Sequence, residues 1–211
     1  MLRTIHEAKE KRIVFAFGRL NPPTAGHSKL IDKVTSEAQR YRATARVIVS
    51  HSQDKHKNPL SAQDKITYLK SIHPRTDFIA SSKQSPHFIA HLKHMSDEGY
   101  THVIMVAGSD RVSEFQRLAD KYNGKDYNFK EIKVVSAGER DPDADGVTGI
   151  SGTKMRTFAS NNDFTSFKKG LNSRASNANA KKLFDAVRRG MQLKEGESRF
   201  TTFSNFLQEQ K

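Results

Sequence analysis

The amino-acid sequence predicts an α/β fold built on a doubly wound, five-stranded parallel sheet, and three observations carry this prediction. Short apolar runs typical of buried strands alternate with longer segments that have the periodicity of amphipathic helices. This alternation continues from Lys11 to about Ser160. Glycine, proline and asparagine separate the segments, as in the turn that follows Gly18. Alternation of this kind favours right-handed βαβ units and therefore parallel strands.

The individual strands and helices follow from the same two patterns. The apolar runs predict strands at residues 11–18, 46–50, 77–80, 102–107 and 132–137. Helical spacing of apolar residues predicts helices at residues 25–41, 62–72, 86–98 and 110–122. Ser61 is placed to cap the second of these helices, and a fifth helix opens near Ser151.

The composition changes after about residue 160, where strand-like runs end and asparagine, serine and alanine become frequent. We therefore predict two units, an α/β domain at residues 1–160 and a small helical appendage at residues 161–211. Within the appendage, residues 181–189 and 202–208 are the expected helices. Short loops are expected between them.

The overall composition limits the class of protein. The chain has 211 residues, no cysteine and a formal net charge of +13. Disulfides, thiolate nucleophiles and cysteine-bound zinc are thereby excluded. The sequence has no apolar stretch of the length that a bilayer requires and no signal-peptide pattern, so we expect a cytoplasmic protein. The positive charge is compatible with nucleic acid or with a small polyanion such as a nucleotide.

The fold places a candidate site at one edge of the sheet. In doubly wound sheets, ligands bind at the carboxyl ends of the strands. The segments that reach this edge are the loops at residues 19–27, 51–60 and 108–111 and the segment before Ser151.

The first motif is GRLNPPTAGH, from Gly18 to His27, which joins a strand to a helix. The first turn of that helix is expected to offer free backbone N–H groups and a positive dipole end to a phosphate. Arg19 adds a fixed positive charge, and Gly26 allows a ligand to approach closely. The alternative is structural: Thr24 only caps the helix, and His27 packs in its first turn.

The second motif is GISGTKMR, in which Ser151 or Thr153 can cap the helix that follows. Lys154 and Arg156 then lie in the first two turns, where positive charge is unfavourable for the helix alone. An anion between these cations and the free amides would remove this penalty. The alternative is an ordinary capped helix with charged surface residues.

Together the two motifs resemble the two signatures of the HxGH nucleotidylyltransferase superfamily, which has a Rossmann-like fold. Thr24 stands where the first histidine of the first signature usually stands, and Thr is a known variant there. Gly152 replaces a serine of the second signature, ISSTxxR. The segment at residues 58–66 (NPLSAQDKI) is similar to the one after the second strand in archaeal-type nicotinamide-nucleotide adenylyltransferases. The segment at residues 107–111 (AGSDR) is similar to the Gly-x-Asp element that follows the fourth strand in the superfamily. The closing sequence TTFSNFLQEQ resembles phage-encoded members, which would place the protein in a host cytoplasm.

The resemblance implies roles for these residues. His27 would donate to the α-phosphate, assisted by Thr24, and Arg156 would hold the β- and γ-phosphates. Further contacts to the nucleotide and its phosphates are expected from Gly18, Arg19, Asn21, Gly26, Ser151, Thr153 and Lys154. Gly108, Asp110 and His56 would contact the acceptor or the ribose, although Asp110 as a helix cap and His56 as a solvated loop residue remain alternatives. Mg²⁺ would enter with the triphosphate, and no protein metal site is expected. His73, His87, His91 and His94 are expected at the surface.

The implied reaction is transfer of AMP from ATP to nicotinamide mononucleotide, a step of NAD biosynthesis, with release of pyrophosphate. One alternative is transfer of CMP from CTP to a phosphorylated alcohol. Another is a protein of the same fold that binds nucleic acid or an assembly without catalysis. Nucleic acid is therefore a secondary candidate partner, no membrane partner is expected, and the sequence is compatible with a homo-oligomer.

Overall fold

A parallel sheet of five strands forms the centre of the protein. We analysed a computed structural model that describes residues 10–138 and 149–193. All neighbouring strands in the sheet are parallel, and their order is β3-β2-β1-β4-β5. The predicted doubly wound α/β fold is therefore confirmed.

The five strands lie close to the predicted positions. They are β1 (Arg12–Gly18), β2 (Thr44–Val49), β3 (Asp77–Ala80), β4 (His102–Ala107) and β5 (Glu131–Ser136). The predicted second strand began two residues late, because Thr44 and Ala45 pair with β1 although Thr44 is exposed. Backbone pairing, and not apolar character, sets the ends of a strand.

Seven α-helices surround the sheet in the described part of the chain. They are α1 (Ala25–Tyr41), α2 (Ala62–Ile72), α3 (Phe88–Asp97), α4 (Val112–Tyr122), α5 (Gly152–Ser160), α6 (Phe164–Lys169) and α7 (Asn177–Gly190). The first two match the prediction at both ends. None of the described helices is long and apolar enough to cross a membrane.

Three predicted helices differ from the structure at their first turns. Residues 86 and 87 precede α3, because His87 is extended and acts as the N-cap. Ser109–Arg111 form a 3₁₀ turn before α4, so the predicted start at residue 110 was early. The helix α7 begins four residues before the predicted one, where Ser176 accepts a hydrogen bond from the Asn179 amide. The predicted helix at residues 202–208 lies outside the described residues.

The sheet separates two apolar cores. Val14 and Ala16 of β1 face a core that contains α1, α2 and the three C-terminal helices. Their neighbours Ile13 and Phe15 face the other core, which α3 and α4 cover. This alternation is the period of a strand that is buried on both faces.

The C-terminal helices α6 and α7 pack into the first core and not beside it. Phe167 and Phe184 are almost completely buried and meet edge to face, with ring centroids 5.1 Å apart. The carbonyl of Gly170 accepts the Ala25 amide at 2.9 Å, at the first residue of α1. Gly190 lies so close to the Pro59 carbonyl that a Cβ atom there would come within 1.9 Å of the oxygen. The division of the chain at residue 160 stays a prediction.

Two histidines that were expected at the surface are buried. His73 and His91 are 5% and 6% exposed. His73 caps the end of α2, and its Nε2 lies 3.1 Å from the Ser28 hydroxyl of α1. Burial lowers the pKa of both imidazoles. The prediction was wrong because each ring has a polar or aromatic neighbour inside the fold, which the local sequence does not reveal.

Replacement of Phe184 by alanine tests how strongly α7 is joined to the core. We expect Phe184→Ala to lower the free energy of unfolding by about 3–5 kcal/mol, because a large buried aromatic side chain is removed. Urea denaturation measures this change, and Lys182→Ala, an exposed position of the same helix, is the control. A loss below about 1 kcal/mol, as at surface positions, would show that α7 is only loosely attached.

Candidate functional site

The strand order identifies the edge of the sheet at which a ligand is expected. Strand β1 lies between β2 and β4. The chain passes from β1 through β2 to β3 on one side of the sheet, and then through β4 to β5 on the other side. This is the topological switch point, where doubly wound sheets bind ligands at the carboxyl ends of the strands. The loops that follow β1, β2 and β4 meet at this edge.

Asn21 joins three of the segments that the sequence predicted to form the site. Its side-chain Nδ2 donates to the Leu60 carbonyl at 2.9 Å, and its Oδ1 accepts the Leu60 amide at 3.0 Å. Its backbone carbonyl accepts a hydrogen bond from Nη1 of Arg156 at 2.8 Å. Asn21 is 5% exposed, and its two bonds to Leu60 are buried. The loop after β1, the loop after β2 and α5 are therefore held against one another.

Arg156 is aligned by the first turn of its own helix. Its Nη2 donates to the Thr153 hydroxyl at 3.0 Å. Burial lowers the pKa of this guanidinium, the charge of Arg19 lowers it further, and Asp54 opposes this effect. Arg156 nonetheless stays charged. The two guanidinium groups are thus close enough to repel each other, and an anion between them would relieve this repulsion.

Gly152 explains one departure from the superfamily signature. A Cβ atom at this position would lie 3.3 Å from the Asn21 carbonyl oxygen and 3.5 Å from Nη1 of Arg156. A serine side chain would therefore press on the hydrogen bond between Arg156 and Asn21. Glycine allows the start of α5 and the loop after β1 to approach closely.

The start of α1 is a capping box in which a histidine takes the usual place of a glutamate. The Thr24 hydroxyl accepts the His27 amide at 3.3 Å, and Nδ1 of His27 accepts the Thr24 amide at 3.1 Å. Ala25 donates to the Gly170 carbonyl. The expectation of several free amides in this turn was therefore wrong, because protein groups occupy them. Within residues 10–138 and 149–193, no acceptor pairs with the Gly26 amide.

The capping box also fixes the tautomer of His27. Nδ1 accepts the Thr24 amide and lies 3.0 Å from the Thr24 hydroxyl. In the neutral ring the proton is therefore on Nε2, which is a hydrogen-bond donor. Thr24 itself is 4% exposed, and its hydroxyl contacts His27. Thr24 therefore caps α1, and the same contacts orient His27.

Two hydroxyl groups at the start of α5 have different partners. Ser151 is the N-cap, and its Oγ accepts the Lys154 amide at 3.2 Å. Thr153 binds Arg156 instead of the helix end. The side chain of Lys154 is exposed.

The predicted acceptor residues lie in two different turns. Asp110 is exposed in the 3₁₀ turn that follows Gly108, and it caps neither this turn nor α4. The helix-cap interpretation of Asp110 was therefore wrong. His56 is exposed at the tip of a tight turn in which Asp54 accepts the amides of His56 and Lys57. These bonds hold the pKa of the Asp54 carboxyl well below its usual range.

The sequence reasoning missed Lys65, which is fully buried on α2. Its Nζ donates to the carbonyls of Ser50 at 2.6 Å and Arg19 at 2.9 Å. A signal was present, because residues 65, 69 and 72 repeat at the spacing of one helix face and Leu69 and Ile72 are buried core residues. Lysine is rarely fully buried, so its charge gives no reason to consider it at a core position.

A cavity of about 440 Å³ lies between α3 and the edge of the sheet. It is lined by Arg46, Ile79, Ser85, His91, His94 and Glu98, among others. Nε2 of His91 is buried without a hydrogen-bond partner in the described part of the protein. None of the site residues predicted from the sequence lines this cavity.

Comparison with protein families identifies a family for this chain. A model of the cytidylyltransferase-like family matches residues 15–158, which is most of the chain. The match begins within β1 and ends within α5, so it includes both motifs. No curated protein matches the chain.

Replacement of Asn21 tests its role as the connector of the site. We expect Asn21→Ala to cost about 1–3 kcal/mol of stability, because it leaves the amide and carbonyl of Leu60 buried without partners. The loop after β2 should then open more often, so trypsin should cleave after Lys55 and Lys57 faster than in the unchanged protein. Asn161→Ala, an exposed position at the end of α5, is the control. Equal cleavage rates in all three proteins would contradict this role.

Proposed function

This chain belongs to the cytidylyltransferase-like family, and we propose that it transfers AMP from ATP to a phosphorylated acceptor such as nicotinamide mononucleotide. The observation that carries the proposal is the convergence of Asn21, Thr153 and Arg156 beside the capped helix start that orients His27. Asn21 and Arg156, which lie 135 residues apart in the sequence, thus meet at the edge of the sheet where we propose that the phosphates bind.

In the proposed reaction a phosphate oxygen of the acceptor attacks the α-phosphorus of the triphosphate in line. The bond between the α-phosphorus and the bridging oxygen breaks, and pyrophosphate leaves with the electron pair. No covalent enzyme intermediate is required. The protein then acts by positioning the reactants and by stabilising the charge that builds on the phosphate oxygens.

His27 is the proposed donor to the α-phosphate. Its neutral tautomer carries the proton on Nε2, because Nδ1 accepts from Thr24. A donor that is already oriented does not have to reorganise when negative charge develops. The contacts of Thr24 support a positioning role, in which its hydroxyl and amide fix the ring of His27.

Arg156 and Arg19 are the proposed ligands of the β- and γ-phosphates. Their mutual repulsion supports this assignment, because a polyanion would separate and neutralise them. Lys154 is exposed at the start of the same helix and is suited to the departing pyrophosphate. Ser151 and Gly18 contribute indirectly, since Ser151 caps α5 and the Gly18 carbonyl accepts the Ser50 amide.

Mg²⁺ is proposed to enter as part of the triphosphate complex. The described residues contain no group of three histidine, aspartate or glutamate side chains placed to bind a metal ion. Phosphate oxygens and water are then its ligands, as is usual for nucleotide-bound Mg²⁺. The ion would neutralise part of the triphosphate charge, while the side chains named above orient the phosphates.

The acceptor is proposed to bind between the loops that follow β2 and β4. The turn at Asp54 presents Lys55, His56 and Lys57 on a hydrogen-bonded framework. Two lysines on such a turn suit the phosphate of an acceptor. Gly108 and Asp110 lie at the end of β4, where an exposed carboxylate is available to ribose hydroxyls.

Two other candidate functions have specific support. Transfer of CMP from CTP is supported by the name of the matched family. Binding of nucleic acid is supported by the net charge of +13. The hydrogen-bonded arrangement of His27, Thr153 and Arg156 favours the catalytic function, since a scaffold does not need it.

Replacement of His27 by glutamine separates catalysis from helix capping. Glutamine retains the capping box, so stability should change little. It removes the imidazole donor, and the rate of pyrophosphate release should fall about 10²–10³-fold. Thr24→Ser, which keeps both the cap and the hydroxyl, is the matched control. A fully active His27→Gln protein would mean that His27 only caps α1.

The substrates are tested by combining each donor with each acceptor. We expect pyrophosphate release with ATP and nicotinamide mononucleotide in the presence of Mg²⁺, and thermal stabilisation by each ligand that binds the folded state. Pyrophosphate release with CTP and a phosphorylated alcohol instead would contradict this proposal and show that the protein is a cytidylyltransferase. Salt-sensitive binding to DNA or RNA that survives His27→Ala, without pyrophosphate release from any pair, would favour the nucleic-acid function.

A further inference from the structure

Lys65 places a positive charge inside the protein without a carboxylate beside it. Its exposed fraction is 0%, and its ammonium group donates to two backbone carbonyls, those of Ser50 and Arg19. The Ser50 hydroxyl lies 3.5 Å from the same nitrogen. Within the described residues no salt bridge involves Lys65. Buried lysines without a charged partner are rare, because desolvation of the ammonium is costly.

The acceptors of Lys65 are the first residues of two loops of the candidate site. Arg19 follows β1, and Ser50 follows β2. The amide of Ser50 also donates to the Gly18 carbonyl at 2.9 Å, so the two strand ends are already adjacent. Lys65 joins both from α2, on the inner side of the loops that carry Asn21 and the Asp54 turn.

We propose that Lys65 is a positioning residue that holds the loops after β1 and β2 at a fixed separation and orients Arg19 toward the polyphosphate of the substrate. The identification of the ligand as a polyphosphate rests on the proposed function. The hydrogen bonds from Lys65 to the two loops do not depend on that function. The buried positive charge adds to the attraction for a polyanion, because the surrounding interior screens it weakly.

The protonation state of Lys65 supplies a readout that a purely structural lysine would lack. Burial lowers its pKa to about 8. No charged group on the elements around it contributes to this shift, neither Arg19 nor His51 of the loops, nor Asp64 of α2, nor Arg188 of α7. A bound polyanion favours the ammonium form, so binding of nucleotide near pH 8 should take up a proton.

The effect of Lys65 on stability has the opposite sign from its effect on nucleotide binding. The folded pKa lies below that of the unfolded chain, about 10.4. Between pH 8 and that value the unfolded state binds more protons, so the contribution of Lys65 makes the free energy of unfolding rise with pH. Nucleotide binding should weaken over the same pH range as the ammonium is lost. Since the titration of Lys65 stabilises the folded protein over this range, weaker binding there cannot be attributed to unfolding caused by that titration.

The first test compares Lys65→Met with Lys70→Met, a substitution at an exposed position of the same helix. Amide hydrogen exchange without ligand should become about tenfold faster or more in residues 19–27 and 51–60 of Lys65→Met, because local opening of these loops becomes easier. Exchange in β4 and β5 should stay unchanged, and Lys70→Met should match the unchanged protein. Unaltered loop exchange, or equal acceleration throughout the chain, would overturn the proposal.

The second test uses the unchanged protein and MgATP, so it remains decisive if Lys65→Met does not fold. Calorimetric titrations at pH 8 in buffers of different ionisation enthalpy should show proton uptake, and the affinity should fall about tenfold between pH 7.5 and 9.5. Absence of both effects would overturn the proposal. Where folded Lys65→Met is obtained, its affinity should be weaker and independent of pH, and Lys65→Arg should move the decline to higher pH. If no triphosphate binds or reacts, the proposed function fails, and the exchange experiment still tests the link between the loops.

Discussion

The candidate site depends on one buried residue, Asn21, which forms hydrogen bonds through its side-chain amide and through its backbone carbonyl. The amide satisfies both polar groups of Leu60, and the carbonyl holds Arg156. These partners are 39 and 135 residues away in sequence. Each bond is worth about 1 kcal/mol net, but a broken one leaves a buried polar group without a partner. The relative positions of the two loops and α5 are therefore maintained by a few hydrogen bonds whose loss is more costly than their formation is favourable.

The positively charged side chains of the candidate site lie in electrostatically unfavourable positions. Arg19 and Arg156 repel each other, and Lys65 is desolvated without a counter-charge. Cations at the start of α5 also oppose the helix dipole. Hydrogen bonds hold two of these cations in place. Arg156 donates to the Asn21 carbonyl and the Thr153 hydroxyl, and Lys65 donates to the carbonyls of Ser50 and Arg19. Under the proposed function, a bound polyphosphate would offset these unfavourable charges together, and this relief would contribute to its affinity.

The sequence predicted the sheet and most helices because their signals are local. Strand β4 and helices α1 and α2 were placed at their observed ends, where apolar periodicity coincides with a cap such as Thr24 or Ser61. Helix α6 was not predicted, because it has six residues and is held by packing against α5 and α7. In the site, the residue types were predictable but their contacts were not. Asn21, Gly152 and Lys65 act through partners that are distant in sequence, and no local pattern specifies those partners.

The C-terminal helices show why the site and the fold cannot be separated. The Gly170 carbonyl accepts a hydrogen bond from the Ala25 amide at the start of α1, and Gly190 lies against the carbonyl of Pro59. Both contacts are made by backbone atoms, so they depend on the position of whole helices and not on particular side chains. Phe167 and Phe184 fix that position from within the core that β1 also contributes to. We therefore expect a change in the packing of α6 or α7 to alter the start of α1 and the loop after β2, although neither helix contributes a predicted site residue.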